Sequence, residues 1–284
     1  MKMSSLSGEK ARRMARVMGR PYPSAATMKV ALLATDSGEK FARLDGPLAH
    51  GLVALDGPAA GPWTELHETG ESWMWDERAL RCPVRPSKIV CIGRNYAAHA
   101  RELGHEIPSE PLLFMKPPSA LMGPRGGVVL PPESVRVEHE AELAVVIGRR
   151  ATRVTRQDAL AHVFGYACAC DVTARDLQKK DVQFTRAKGF DTFCPIGPWI
   201  ETELDPSTQR VMCRVGAATR QDGTTAHMIF DVPELVSYVS RMMTLVPGDV
   251  ILTGTPEGVG PLLAGDDVEV EVSGVGVLKL HVQA

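Results

Sequence analysis

The 284 residues are 44% hydrophobic and 23% charged, with a net charge of −2, the balance of a soluble globular chain long enough for one large domain, alone or with a small one. That charge offers nothing to a nucleic-acid or anionic-membrane partner, and no apolar run has the length of a spanning helix. Six cysteines (Cys82, Cys91, Cys168, Cys170, Cys194, Cys213) contain no C-x-x-C pair, which argues against structural zinc or a redox dithiol and for reduced thiols in a cytoplasmic protein.

Residues 1–27 set Lys2, Lys10, Arg12, Arg13, Arg16 and Arg20 against Glu9 alone. This basic extension reads as a disordered tail, an organelle-targeting leader, or the product of a start codon upstream of Met28. From Met28 the text is strand, turn, strand: Val30–Ala34, then Asp36-Ser37-Gly38-Glu39, then Lys40–Leu44. Short strands continue with turns at Gly57-Pro58 and Gly61-Pro62, so residues 28–82 are expected to form a small β-rich accessory domain. Pro83 and Pro86 mark a linker to the main domain, 86–284.

The main domain opens on an apolar strand, Lys88–Ile92, and Asn95 is placed to cap a short helix over Ala97–Leu103. Ala159–Ala169 reads as helix running into strand. Asp231-Val232-Pro233-Glu234 is a helix start, with an Asp cap, Pro in the first turn and Glu three residues on. Leu235, Val236, Val239, Met242 and Met243 continue it as an apolar stripe that belongs to the core. The last forty residues are short strands between turns at Pro247-Gly248-Asp249, Ala264-Gly265-Asp266 and Ser273-Gly274. The class is therefore α+β and β-rich, a mixed sheet curled into a roll or barrel.

Glu140 and Glu142 stand one residue apart before the apolar run Leu143–Ile147. Alternation sends both carboxylates to one face of a strand, where like charges repel unless one takes a proton or a cation intervenes. Oxygen ligands alone favour a hard ion, magnesium, manganese or calcium. The other reading is a solvated edge-strand rim. Asp171 ends a strand and could be a third ligand, with Arg175 four residues on to clamp a substrate carboxylate or to form a surface pair. Lys188 is a second possible anchor for an anion, or a solvent-facing lysine. His99 and Glu102 share a helix face, as a base with its orienting carboxylate or as a solvated pair. The glycine-rich stretch Gly254–Gly260 fits neither a P-loop nor a dinucleotide loop. It offers close backbone approach to a ligand, with the Thr253 and Thr255 hydroxyls as donors, or a plain tight turn. No G-x-S-x-G elbow or H-E-x-x-H helix is present.

In this order, Gly93-Arg94-Asn95-Tyr96, His99, Glu102, Phe114-Met115-Lys116-Pro117, Glu140-Ala141-Glu142, Asp171-Val172-Thr173-Ala174-Arg175-Asp176, Ala187-Lys188-Gly189-Phe190-Asp191 and the loop 253–260 together resemble the fumarylacetoacetate hydrolase family. The likeness covers about residues 86–282. It implies a mixed β-roll, commonly dimeric, with a lid over its open end. By the resemblance, Glu140, Glu142 and Asp171 hold magnesium or manganese, His99 and Glu102 form the lid dyad, and Arg175, Gln178, Lys188 and Thr255 contact an anionic substrate. It also implies a metal-dependent enzyme of aromatic-compound catabolism acting on 2-oxo or 1,3-dioxo acids, with C–C hydrolysis first, isomerisation or decarboxylation second, and a non-catalytic metabolite-binding protein third. Cys170 stands where the family usually has Asn beside the metal aspartate, which removes an amide from the surroundings of Asp171. Val215-Gly216-Ala217 replaces the usual Val-Asn-Gly turn.

Overall fold

The computed structural model describes residues 28–54 and 66–284; the basic extension over 1–27 and the Gly57-Pro58 and Gly61-Pro62 turns lie outside the described residues. In chain order the strands are β1 (Lys29–Thr35), β2 (Gly38–Asp45), β3 (Leu48–Ala54), β4 (Leu66–Met74), β5 (Leu80–Arg81), β6 (Ile89–Gly93), β7 (Leu112–Lys116), β8 (Leu121–Met122), β9 (Gly127–Val129) and β10 (Val137–His139). They continue as β11 (Ala141–Ile147), β12 (Val163–Cys170), β13 (Thr173–Ala174), β14 (Cys194–Glu201), β15 (Arg210–Val215), β16 (Ala218–Thr224), β17 (Val250–Leu252), β18 (Gly260–Pro261), β19 (Asp267–Val272) and β20 (Gly276–Gln283). The α-helices among the described residues are α1 (Ala97–Glu102), α2 (Arg175–Lys180), α3 (Thr185–Lys188) and α4 (Val232–Met242). The class is α+β and strand-rich.

Among the described residues the large sheet runs β4-β3-β2-β1-β14-β12-β11-β17-β6-β7, with β5 on β1 and β8 on β14. β1 joins it through Lys29↔Glu201 and Val30↔Ile200, so the N-terminal strands extend the sheet of the main domain. A second sheet, β16-β15-β19-β20-β9, lies against the first, and β13-β10-β18 makes a third. β19 shows why the second sheet is one-sided: Val268, Val270 and Val272 are buried, while Glu269 and Glu271 turn outward to pair with Arg214. β11 is buried along its whole length, as its continuous apolar text requires.

Helix α4 starts as its sequence dictates: the Asp231 side chain accepts from Glu234 N–H, and Leu235, Val236 and Val239 are buried. Met243 packs against the core partly buried, and only Met242 leaves the expected stripe, at 54% exposed. Over Ala159–Ala169 the helical part is a single 3₁₀ turn, Ala159–His162, running directly into β12. Asn95 does not cap α1. Tyr96 occupies the cap position without a side-chain bond, and Asn95 is buried, donating to Phe230 O (3.0 Å) and Thr253 O (2.8 Å) and accepting from Phe230 N–H (2.9 Å). The amide is worth more as a clamp between distant segments than as a cap, because it satisfies buried backbone groups of both.

Candidate active site

Strand parity brings the acids together. Along β11, Ala141, Leu143, Val145 and Ile147 face the core between the two sheets, while Ala144 and Val146 face the other side. On β12, Cys168 and Cys170 take the inner face, and Ala167 and Ala169 the outer. The register sets Ala141 opposite Cys170 and Glu142 opposite Ala169, and Asp171 N–H donates to Glu140 O at 2.8 Å. Glu140, Glu142 and Asp171 therefore emerge on one face at one end of the sheet. A carboxylate oxygen of each lies within 4.8 Å of the others, and all three side chains are buried. The solvated-rim reading of the two glutamates is excluded by that burial.

Cations surround two of the three acids. Lys188 Nζ donates to Glu140 Oε2 (2.9 Å) and Asp171 Oδ2 (2.6 Å), and Arg175 Nη2 donates to Glu140 Oε1. Burial opposes ionisation of Glu140, but Lys188 and Arg175 outweigh it and hold its carboxyl well below the usual range. Lys188 is likewise buried, yet Asp171 and Glu140 keep its proton on more firmly than usual. Glu142 has no such partner among the described residues: its Oε2 accepts the Gly254 N–H at 2.6 Å. Burial, then Asp171 and Glu140, push its pKa well above the ordinary value.

Two observations make this donor set fit a divalent ion. Asp171 Oδ1 is buried with no hydrogen-bond donor; Lys116 Nζ lies 2.8 Å away, but its protons go to the carbonyls of Val172 (3.0 Å), Lys188 (2.7 Å) and Phe193 (2.8 Å). Glu142 is a buried acid without a cation. Three carboxylates whose oxygens lie within 4.8 Å of one another would hold a hard divalent ion, which takes oxygen ligands.

The dyad sits over the same cavity. His99 Nδ1 is 3.1 Å from Glu102 Oε2, and Glu102 Oε1 accepts Gly258 N–H at 3.0 Å, which ties α1 to the glycine-rich loop. A carboxylate only accepts, so Nδ1 carries the hydrogen and turns Nε2 away from Glu102. The cavity, about 360 Å³, is lined by Glu140, Glu142, Asp171, His99, Lys188, Arg175, Gln178 and Thr255, so of the site residues expected from the sequence only Glu102 and Thr253 do not reach its wall. Glu102 stands behind His99.

Several roles differ from expectation. Arg175 is not a free clamp: it is buried, with Nε on Glu138 Oε2 (2.6 Å), Nη2 on Glu140 and Nη1 on Gln178 Oε1. The Thr253 and Thr255 hydroxyls donate to Leu143 O (2.9 Å) and Ala141 O (2.8 Å), back into β11 rather than toward a ligand. The loop glycines answer to protein atoms as well: Gly254 has φ +96 and Gly258 φ +95, and an added Cβ would stand 2.7 Å from Asn95 Cβ and 2.1 Å from Arg220 O respectively. Cys170 packs in the core on the face opposite Asp171, its thiol pKa pushed up to about 12 by burial; support for Asp171 comes instead from Lys188 and Lys116.

Sequence reasoning missed Lys116, Glu138, His139 and Gln221. Gln221 is fully engaged, accepting Ala141 N–H (3.0 Å) and pairing with His139 Nδ1 (3.0 Å) at Oε1, and donating to Thr255 Oγ1 (2.7 Å) and Pro256 O (2.8 Å). It pins the break between β10 and β11 where Glu140 sits. The signal for Lys116 was its place in the Phe114-Met115-Lys116-Pro117 motif, to which no role was attached.

Residues 88–283 match the family described as fumarylacetoacetate (FAA) hydrolase C-terminal. An uncharacterized protein of Pyrococcus abyssi is 54% identical over 207 residues, 71% of this chain and 92% of that one. A mitochondrial oxaloacetate tautomerase of Bos taurus is 46% identical over 215 residues, 71% of this chain and 68% of its own. The crystal structure of a 2-hydroxyhepta-2,4-diene-1,7-dioate isomerase from Mycobacterium marinum gives a TM-score of 0.82 at 39% identity, covering 90% of this chain and 98% of that one. With the match running through the triad, the dyad and Lys188, this chain belongs to the fumarylacetoacetate hydrolase family, a family of enzymes.

Proposed function

We propose that this protein catalyses metal-dependent proton transfer on a small 2-oxo acid or its 2-hydroxy-dienoate tautomer, as a tautomerase or isomerase. The observation that carries this reading is the buried acidic triad opening on the same cavity as the oriented His99–Glu102 dyad. A divalent ion, magnesium first among the candidates, would supply positive charge to the substrate's carboxylate and adjacent carbonyl oxygen. Glu140, Glu142 and Asp171 would hold it. His99 Nε2 takes a proton from the carbon next to the carbonyl and returns it to the same or a conjugated carbon. Glu102 fixes the imidazole orientation and stabilises its charged form. Lys188 keeps Glu140 ionised and, through its bonds to Glu140 and Asp171, aims both carboxylates. One oriented base is sufficient for this reaction, and relatives named as a tautomerase and an isomerase support it.

C–C hydrolysis is the second reading, favoured by the same dyad, which could equally deprotonate a water. Proton NMR in D₂O with oxaloacetate and Mg²⁺ separates them. Enolisation exchanges the C3 hydrogens faster than buffer does and leaves the carbon skeleton intact, and EDTA stops it. Cleavage of an acylpyruvate without such exchange would replace tautomerisation with hydrolysis, and exchange indifferent to EDTA would remove the metal.

A further inference from the structure

A second cleft, about 580 Å³, shares no lining residue with the catalytic cavity of about 360 Å³. One wall comes from β1, β2, β5 and the chain that follows β5, where Leu32, Leu80 and Val84, all buried, make an apolar floor. β1 and β5 build that wall as a pair, with Leu32 opposite Arg81. The other wall is the segment 118–126 of the main domain. At one end the two walls touch: an added Cβ at Gly123 would stand 2.6 Å from the Cys82 backbone nitrogen.

Three arginines and one acid stand on this cleft: Arg81, Arg85, Arg125 and Glu39. Glu39 is shared, with Arg85 bonded to it and Arg81 Nε 4.0 Å away. Arg125 Nη1 donates to Glu77 Oε2 at 3.2 Å, but the same oxygen also takes Lys279 Nζ at 3.3 Å. Each carboxylate thus serves two cations, which leaves two positive charges in surplus. The neighbouring Asp76–Arg78 pair is neutral and does not alter that surplus. Guanidinium donors are left over as well. Among the described residues, Arg85 and Arg125 each spend a single side-chain nitrogen on a carboxylate.

Arg125 is placed there against its backbone preference. Its φ is +59, in the region that favours glycine. Its N–H donates to Lys279 O at 2.8 Å, which fastens this turn to β20. Glycine would take that conformation more easily, so what arginine adds is the guanidinium at the cleft.

We infer that this cleft is a second ligand site, for a phosphate monoester carrying an apolar or aromatic group. Such a phosphate brings about two negative charges at pH 7 and several acceptor oxygens, which suits more than one guanidinium fork. A carboxylate matches only half of the surplus. The organic group lies on Leu32, Leu80 and Val84, where inorganic phosphate has nothing to bury.

The test is calorimetric titration of the EDTA-treated protein with phenyl phosphate, inorganic phosphate and benzenesulfonate, a monoanion of similar shape. Phenyl phosphate should saturate one site per chain with a Kd of about 1 mM or tighter. Each of the other anions should bind about tenfold or more weakly. R85Q/R125Q should weaken phenyl phosphate binding about tenfold or more. R94Q/K179Q, which removes cations from the wall of the catalytic cavity instead, should leave it unchanged. An unchanged melting temperature establishes the fold of each variant, since Arg85 and Arg125 pair only with exposed acids. Failure to saturate, wild-type affinity in R85Q/R125Q, or weakened binding in R94Q/K179Q alone would overturn the site. Benzenesulfonate binding as tightly as phenyl phosphate would overturn the phosphate, and inorganic phosphate doing so would overturn the organic group.

Discussion

Replacing Glu142 by glutamine isolates the triad acid that lacks a cation. Burial together with Asp171 and Glu140 lifts its pKa well above 4.5 in the folded protein. Without metal the fold therefore keeps a proton that the unfolded chain releases near its ordinary pKa. The native state binds more protons than the unfolded one, so the stability due to this group is full below pH 4.5 and is lost as pH rises toward the folded pKa. The slope for one retained proton is about 1.4 kcal/mol per pH unit. Other groups titrate nearby: burial lowers the pKa of His139 below 6.5, which gives a slope of opposite sign below that pH. The informative quantity is therefore the difference between wild type and E142Q. Glutamine keeps an acceptor for the Gly254 N–H but cannot ionise. Urea unfolding of the EDTA-treated proteins between about pH 5 and about pH 8 should show the variant gaining on the wild type by about 1.4 kcal/mol per unit within the window. Saturating Mg²⁺ should reverse the order, because binding to the native state stabilises only the protein that holds the ion well. A difference that does not move with pH would refute the retained proton.

Lys116→Met removes a buried cation that serves three carbonyls and abuts Asp171; a loss of about 3–5 kcal/mol is expected in chemical denaturation, and less than about 1 kcal/mol would show the contact to be dispensable. His99→Ala should lower enolisation by about 10²–10⁴-fold with Mn²⁺ affinity retained, measured by solvent-deuterium exchange and metal titration; equal loss of both contradicts the dyad's role. Asn95→Ala strands the buried Phe230 N–H and the Phe230 and Thr253 carbonyls, and a melting-temperature drop corresponding to about 2–4 kcal/mol is expected; an unshifted melt would mean that water replaces the amide.

What was legible in the sequence was local or periodic. Period-two alternation aligned Glu140 with Glu142, and the i, i+3 spacing put His99 beside Glu102, because both follow from one element's geometry. The Asp231 start of α4 needed only its neighbours. What failed depended on distant chain. Asn95 looks like a cap until Phe230 and Thr253 arrive with carbonyls that its amide bonds. Lys116 lies inside the Phe114-Met115-Lys116-Pro117 motif, but its role comes from carbonyls of three later segments that enclose it. Arg175 reads as a ligand clamp because its own text does not show Glu138 across the sheet. Cys170 reads as a lost amide beside the ligand, whereas strand parity turns it to the opposite face. Ordered motifs carried the family through all of these misreadings, since a family signature records the assembled site and a single residue's text does not.

Titrating Mn²⁺ into EDTA-stripped protein, with free ion followed by electron paramagnetic resonance, measures most directly whether Glu140, Glu142 and Asp171 share one divalent ion. One saturable ion per chain, displaced by Mg²⁺ and lost in Asp171→Asn and Glu142→Gln, is the expected result. Failure to saturate, or wild-type affinity in both variants, would contradict a metal held by this triad.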